Sequence, residues 1–300
     1  MKQTSKTAFP LSVAALVCAA ILGASGSMAQ AQSTGTAAAA PSDTPRMDER
    51  AITLLRRSAE FLAGQGAMSF NWFVSYDDVI DGREKITFMR SGTNLLVRDK
   101  GFYSRAEGEN GVREWRYDGQ QVTFVAPAEN YYARAEFKQG FDALVDTARE
   151  SLGSEIPLYA IMRRGLPERL EEGLKGAAYL GITRVAGEEV HHLAFAEEAE
   201  DWQVWLSTNE EQPVPLVIVG TETKKPGWPQ VRAYLTDWNL TPEYDAALFT
   251  YSPREGEMQI SFPELKARAA DATQNEPREN EQAPANDASA ATKSKEGQEK

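Results

Sequence analysis

From Phe70 to Asn239 the chain repeats one pattern: a short run in which apolar and polar residues alternate, then a tight turn. "FNWFVSY" sets Phe70, Trp72, Val74 and Tyr76 against Asn71, Ser75 and Asp77, with Phe73 the exception. A period of two puts the two sets on opposite faces of a strand. "DGR" at Asp81 to Arg83 is a turn, and "KITFM" opens the next strand. "TNLLVR", "GFYSRAEG", "VREWRYDG", "QVTFVAP" and "NYYARAE" follow, with turns at "DKG", "ENG", "DGQ" and "PAEN". Short consecutive strands joined this tightly predict an antiparallel meander, not a parallel sheet with crossover helices.

Helical spacing replaces this period in two places. "MDERAITLLRRSAEFLAGQ" puts Ile52, Leu55, Ala59 and Leu62 on one face, with Gly64 and Gly66 to stop the helix. "GFDALVDTARESLG" and "IPLYAIMRRGLPERLEEGLKG" form a helical interruption punctuated by Pro157, Gly165, Pro167 and Gly173. Strands then resume at "AAYLGITRVAG", "EEVHHLAFAE", "WQVWLST", "PLVIVGTET" and "VRAYLTDWN". The expected fold is mainly β with helices (α+β), a single antiparallel sheet of about eleven strands. Twist makes so long a sheet curl into a half-open barrel, with helices at its concave face or mouth. Such a barrel can enclose an apolar cavity. Alternation groups Phe70, Trp72, Val74 and Tyr76, then Trp115 with Tyr117, then Trp202 with Val204 and Leu206. These sets are expected to line the inside and bind ligand, although one bulge would turn a set outward. For any single aromatic, plain core packing is the commoner role.

The ends differ from the middle. "MKQTSK", then "AFPLSVAALVCAAILGASG", then "AQA" at Ala29 to Ala31 has the basic, apolar, small-x-small order of a secretory signal peptide. Cleavage after Ala31 is expected, and a periplasmic location with it. The apolar part is short for a membrane span, so no integral span is expected in the mature chain. Losing Lys2 and Lys6, two positive charges, takes the formal charge from −12 to −14 and removes Cys18, the single cysteine. No disulfide is then possible, and so acidic a chain is a poor partner for nucleic acid. Residues 32–46 and 263–300 are too poor in large apolar side chains to offset ordering entropy, and are expected to be a disordered linker and tail. One folded domain over 47–262 is left.

Beyond periodicity, "WRYDGQQVTFVAPAENYYARAE", "YLGITRVAGEEVHHLAF", "DWQVWL" and "YLTDWNLTPEYDAALFTYSPREGEMQI" together resemble a family of uncharacterised, predicted periplasmic proteins. That family is similar in fold to the carriers of outer-membrane lipoproteins, the LolA and LolB type. Phe249 to Ile260 resembles the F-x-F-x-P-P-x-G close of those carriers, with Arg254 in place of the second proline. The resemblance covers Met47 to Ile260. It implies eleven strands, helices lodged at the barrel mouth and a hydrophobic cavity, but no activity and no functional residue.

The stretch with the most chemistry is "EEVHHLAFAEEAEDWQVWL", which holds both histidines, His191 and His192. Adjacent strand residues face opposite ways, so His191 goes with Leu193 and Phe195 and His192 with Val190, Ala194 and Ala196. They cannot share one ligand, and metal-ligand spacing is missing. No nucleophile elbow, phosphate loop or dinucleotide fingerprint occurs. No catalytic residue, metal or cofactor is expected. The favoured function is a carrier or binding protein for a lipid, an acyl chain or an acylated protein. A non-enzymatic sensing or interaction scaffold and an envelope hydrolase are the alternatives. Oligomeric state is open.

Overall fold

The computed structural model describes residues 46–263 apart from 110, 149–157 and 172. The expected leader (1–31), the linker as far as 45 and the tail from 264 lie outside the described residues.

The strands are β1 (Ala67–Ile80), β2 (Glu84–Val97), β3 (Gly101–Gly108), β4 (Gly111–Tyr117), β5 (Gln121–Ala126) and β6 (Tyr131–Glu136), then β7 (Gly176–Val185), β8 (Glu188–Ala196), β9 (Glu200–Ser207), β10 (Pro215–Glu222), β11 (Gln230–Asn239) and β12 (Met258–Ile260). They form one twelve-stranded sheet in the order β12-β6-β5-β4-β3-β2-β1-β11-β10-β9-β8-β7. Two meanders thus join through the antiparallel β1–β11 pair. β12 alone pairs in parallel, on β6. The sheet does not close on itself. "KITFM" and "TNLLVR" are a single strand, β2, and the three residues of β12 raise the count from eleven to twelve. Gly92 lets β2 run on: a Cβ there would lie 2.5 Å from the Trp72 ring and 2.1 Å from the Arg105 carbonyl oxygen.

α1 (Glu49–Gly64) begins at Asp48, whose carboxylate accepts from the Arg50 N–H at 3.1 Å. It buries Ile52, Leu55 and Ala59 against Leu193, Phe195, Val204 and Leu206 of β8 and β9. The interruption between β6 and β7 contains α2 (Phe141–Thr147), a 3-10 turn (Tyr159–Met162) and α3 (Leu166–Leu170). Leu144, Val145 and Met162 pack against β1, β3 and β4, while Leu166 and Leu170 join α1. One face of the curved sheet is therefore covered by helices along both meanders.

The other face is strapped by the segment from β11 to β12, which includes a 3-10 turn (Ala246–Phe249). Phe249 packs on Leu95 and Val97. Arg116 donates to the carbonyls of Leu248 and Thr250, and Arg134 to that of Tyr251. The Tyr251 hydroxyl donates to Glu257 at 2.5 Å, and Arg254 pairs with the same carboxylate at 3.0 Å. Burial first, then the Glu257 hydrogen bond and charge, pushes the Tyr251 hydroxyl up to about 12. Because its folded value is raised above the ordinary value near 10, the bond contributes stability that is full below pH ~10 and is lost as pH rises through ~12. Burial also raises the hydroxyls of Tyr103 and Tyr117, so ultraviolet titration of the folded protein should show several late-ionising tyrosines, of which Tyr251→Phe removes the last. A titration curve whose last-ionising group is unchanged by the substitution would place that hydroxyl elsewhere.

Candidate functional site

Register builds the helix-covered face row by row. Phe70 pairs with Asn94, Asn94 with Ser104, Ser104 with Trp115, Trp115 with Phe124 and Phe124 with Ala133. Paired residues share a face, so six strands contribute to one transverse stripe. The neighbouring row runs Met68, Leu96, Phe102, Tyr117, Val122 and Ala135. Phe70, Trp72, Trp115 and Tyr117 lie in one buried cluster, and half-buried Val74 packs against it. Trp202, Val204 and Leu206 lie in a second cluster beneath α1. Ile218 of β10 touches both. Tyr76 shares the face of Trp72 but lies farther out on the β1–β2 hairpin, half-exposed, stacked on Phe88 at 5.5 Å and under Arg90 at 4.5 Å. The first two sets are thus brought together with the helical interruption, and the third with α1.

Several neighbours carry no sequence signal. Asp237 sits in the left-handed region at φ 54°, in a bulge of β11. That extra residue returns Trp238 to the inner face, with its ring 4.4 Å from Phe70 and its indole N–H donating to the Pro215 carbonyl. Two polar side chains interrupt the aromatic stripe. Asn94 accepts from the Trp72 indole N–H at 3.3 Å. The Ser104 hydroxyl is buried with no hydrogen-bond partner among the described residues.

Arg98, just past the end of β2, holds the cover down. Its guanidinium donates to the carbonyls of Gln65 at 2.7 Å, Leu62 at 3.3 Å and Met162 at 3.0 Å. The first two acceptors are carbonyls at the C-terminal end of α1, of which that of Leu62 also accepts the Gln65 N–H at 3.2 Å, and the third lies in the helical interruption. Within that interruption Arg163 pairs with Asp146 at 2.6 Å, and the Asp142 carboxylate accepts from the N–H groups of Arg164 and Gly165. Cover and sheet are therefore tied by a small number of identifiable polar contacts beside apolar ones.

The two histidines diverge. His191 faces α1, where its Nδ1 is 3.2 Å from the Tyr179 hydroxyl. Burial first, and then the Arg50 charge, lowers its pKa, against an opposing pull from Glu210. His192 lies on the opposite face, stacked on Trp205 at 4.2 Å, with Nε2 2.9 Å from Gln203 Oε1. Among the described residues no group of three His, Cys, Asp or Glu side chains is arranged to hold a metal ion. Nor is any described helix long and apolar enough to cross a membrane.

A single open, strongly curved antiparallel sheet, with helices seated on one face over an aromatic stripe, defines the structural class. The chain belongs to the family described as "Predicted periplasmic protein (DUF2092)", whose model matches residues 51–263. No curated protein matches it. Among solved structures it is similar to the lipoprotein LppX of Mycobacterium tuberculosis, with 11% identity, 66% of this chain and 98% of that one covered, and a TM-score of 0.40. It is similar to LprF of Mycobacterium bovis at 10% identity, over 66% and 97% of the two chains, with a TM-score of 0.41. A LolA superfamily protein of Nitrosomonas europaea, NE2245, is 12% identical over 67% and 97%, with a TM-score of 0.30. At TM-scores below 0.5, none of these three fixes an activity.

Proposed function

We propose that the protein is an exported periplasmic carrier or binding protein for a hydrophobic or amphiphilic ligand, a lipid or an acylated protein, received on the helix-covered face of the sheet. One observation carries this reading: the broadest aromatic and aliphatic surface of the fold is covered by a helical interruption rather than by a second sheet. Phe70, Trp72, Val74, Trp115 and Tyr117 meet α2 and the 3-10 turn there, while Trp202, Val204 and Leu206 meet α1. Shifting short helices uncovers apolar surface without breaking a strand pair. A chain laid on that surface gains about 0.8 kcal/mol per buried methylene, so a ten-carbon stretch needs no polar anchor for measurable affinity. The outermost candidate, Tyr76, would then mark the hairpin side of the entrance. Binding without catalysis fits a stripe whose polar members, Asn94 and Ser104, include no acid–base pair.

Native mass spectrometry of protein recovered from a periplasmic extract tests export and ligand together. A chain starting at Gln32 and carrying a co-purified lipid is expected. With lipid-free protein, a long-chain lysophospholipid should shift tryptophan emission, and Val74→Asp should weaken binding about tenfold or more by placing a charge on the inner face. The near-complete burial of Trp72 and Trp115, each 3% exposed, favours one competitor, an interaction scaffold with a permanently filled interior. Protein that retains no lipid and shows no emission shift would establish that competitor instead.

A further inference from the structure

The acidic chain spends nearly all of its arginines. Among the described residues, only Arg50 and Arg90 lack an ion pair or a hydrogen bond from the guanidinium to an acceptor; typical of the rest are the pairs of Arg56, Arg113 and Arg232 with Glu171, Glu129 and Asp77. Arg90 has the Glu109 carboxylate nearby, whose pKa is lowered first by backbone N–H bonds from Glu109 and Met89 and then by the Arg90 charge. Arg50 has only an aromatic ring: its guanidinium carbon stands 4.0 Å from the centroid of Tyr179. The Tyr179 hydroxyl in turn reaches His191 Nδ1 at 3.2 Å. A bulge at Leu180 keeps Tyr179 and Ile182 on the inner face, so that Ile182 pairs with His191, which pairs with Leu206. Ile182 is 57% exposed whereas Leu206 is buried. The three polar groups therefore sit where the inner face passes from buried apolar surface to solvent.

We propose that Arg50, Tyr179 and His191 form the head-group end of the ligand site and bind the phosphate or carboxylate of an anionic amphiphile. This rests on the carrier reading above and names the class of ligand. When Tyr179 donates to Nδ1, neutral His191 carries its proton on Nε2, so imidazole and guanidinium both offer donors. Arg50 supplies a fork suited to two oxygens of one anion. The guanidinium is already held by the Tyr179 ring, which limits the ordering cost of capture. Other charges face the cluster from the start of α1, from α1 itself and from the β9–β10 connection: the Asp48 carboxylate accepts from the Tyr179 backbone N–H at 3.4 Å and opposes an anion, and Arg46 offsets it at 3.4 Å. Glu210 lies near His191, and Arg57 engages it through its carbonyl at 2.7 Å and its carboxylate at 3.5 Å. That carboxylate opposes an incoming anion, and Arg57 offsets it.

The chain's two histidines make the test direct, because His192 on the opposite face serves as an internal control. Proton NMR would follow both imidazoles while lipid-free protein is titrated with lysophosphatidic acid, with a monoacylglycerol of the same chain, and with inorganic phosphate. Lysophosphatidic acid is expected to bind roughly tenfold tighter than the monoacylglycerol. It should also raise the pKa of His191 and leave His192 unmoved. Arg50→Gln, an exposed change, should reduce that preference to about twofold or less, and Arg50→Lys should recover part of it. Equal affinities for the charged and neutral lipids would overturn the head-group assignment while leaving the carrier reading intact. If neither lipid binds, both readings fall, and a His191 shift with phosphate alone would then assign the cluster to a soluble anion.

Discussion

Replacing Arg98 by leucine is expected to lower stability by roughly 2–4 kcal/mol, a large share of what a domain of this size possesses. The loss does not come from a broken ion pair, because Arg98 has none among the described residues. It comes from taking the guanidinium from the carbonyls of Gln65 and Met162, and from leaving that of Leu62 with the Gln65 N–H alone. The bonds to Leu62 and Met162 are buried, and a buried acceptor left without a partner, as that of Met162 would be, costs about 1–3 kcal/mol. The α1 C-terminus also has no basic residue in its own last turn, so Arg98 supplies the positive charge that a helix end favours. Lysine should recover only part of the loss, since one ammonium cannot reach three separated acceptors as a guanidinium does. Urea unfolding of both variants measures this. Hydrogen exchange of Leu144 and Val145 should rise in Arg98→Leu at native conditions, because the cover over the sheet loses its tie. A change below about 1 kcal/mol would mean that water satisfies the three carbonyls once the guanidinium is gone.

Trp115→Ala is expected to cost a similar ~3–5 kcal/mol. The indole lies edge-on to Phe124 at 5.2 Å and stacks on Phe262 at 6.2 Å, so its loss opens a void in the middle of the transverse stripe. The strands around it are paired on both sides and cannot collapse into that void. Trp115→Phe should cost less than half as much. The contact with Phe262 adds a second signature: near-ultraviolet circular dichroism should lose the same band in Trp115→Ala and in Phe262→Ala. Two variants with near-native stability would show this region to be loosely packed, which by itself would favour a preformed ligand space.

The meander, the two groups of strands and the amphipathic first helix were legible because each is written in local periodicity. Ile52, Leu55, Ala59 and Leu62 recur at helical spacing and all four are buried. Phe70 and Trp72 alternate with polar neighbours and both are inside. The same alternation separated His191 from His192 correctly, since a strand's two faces follow from backbone geometry alone. Where the pattern broke, a single residue was responsible. "SGT" inside β2 has the composition of a turn, but Gly92 stands there so that Trp72 can lie against the strand. Tyr76 shares the parity of Trp72 yet escapes the core, because β1 outruns the helices that cover its first half.

The sequence by itself determined most of the strand segments, though not the continuity of β2 or the existence of β12, together with which residues share a face of each strand and that the middle of the chain interrupts the meander with helix. These depend on near neighbours, whose spacing is set by the backbone. Only the tertiary structure decided that β1 pairs with β11 to fuse the two meanders, that the extra residue Asp237 turns Trp238 inward, and that Arg98 serves two helical segments at once. It alone placed Arg50, Tyr179 and His191 together, from α1 and a β7–β8 hairpin far from it in the chain. Contacts of that kind are selected by the packing of the whole sheet against its cover, and no window of neighbouring residues contains that information.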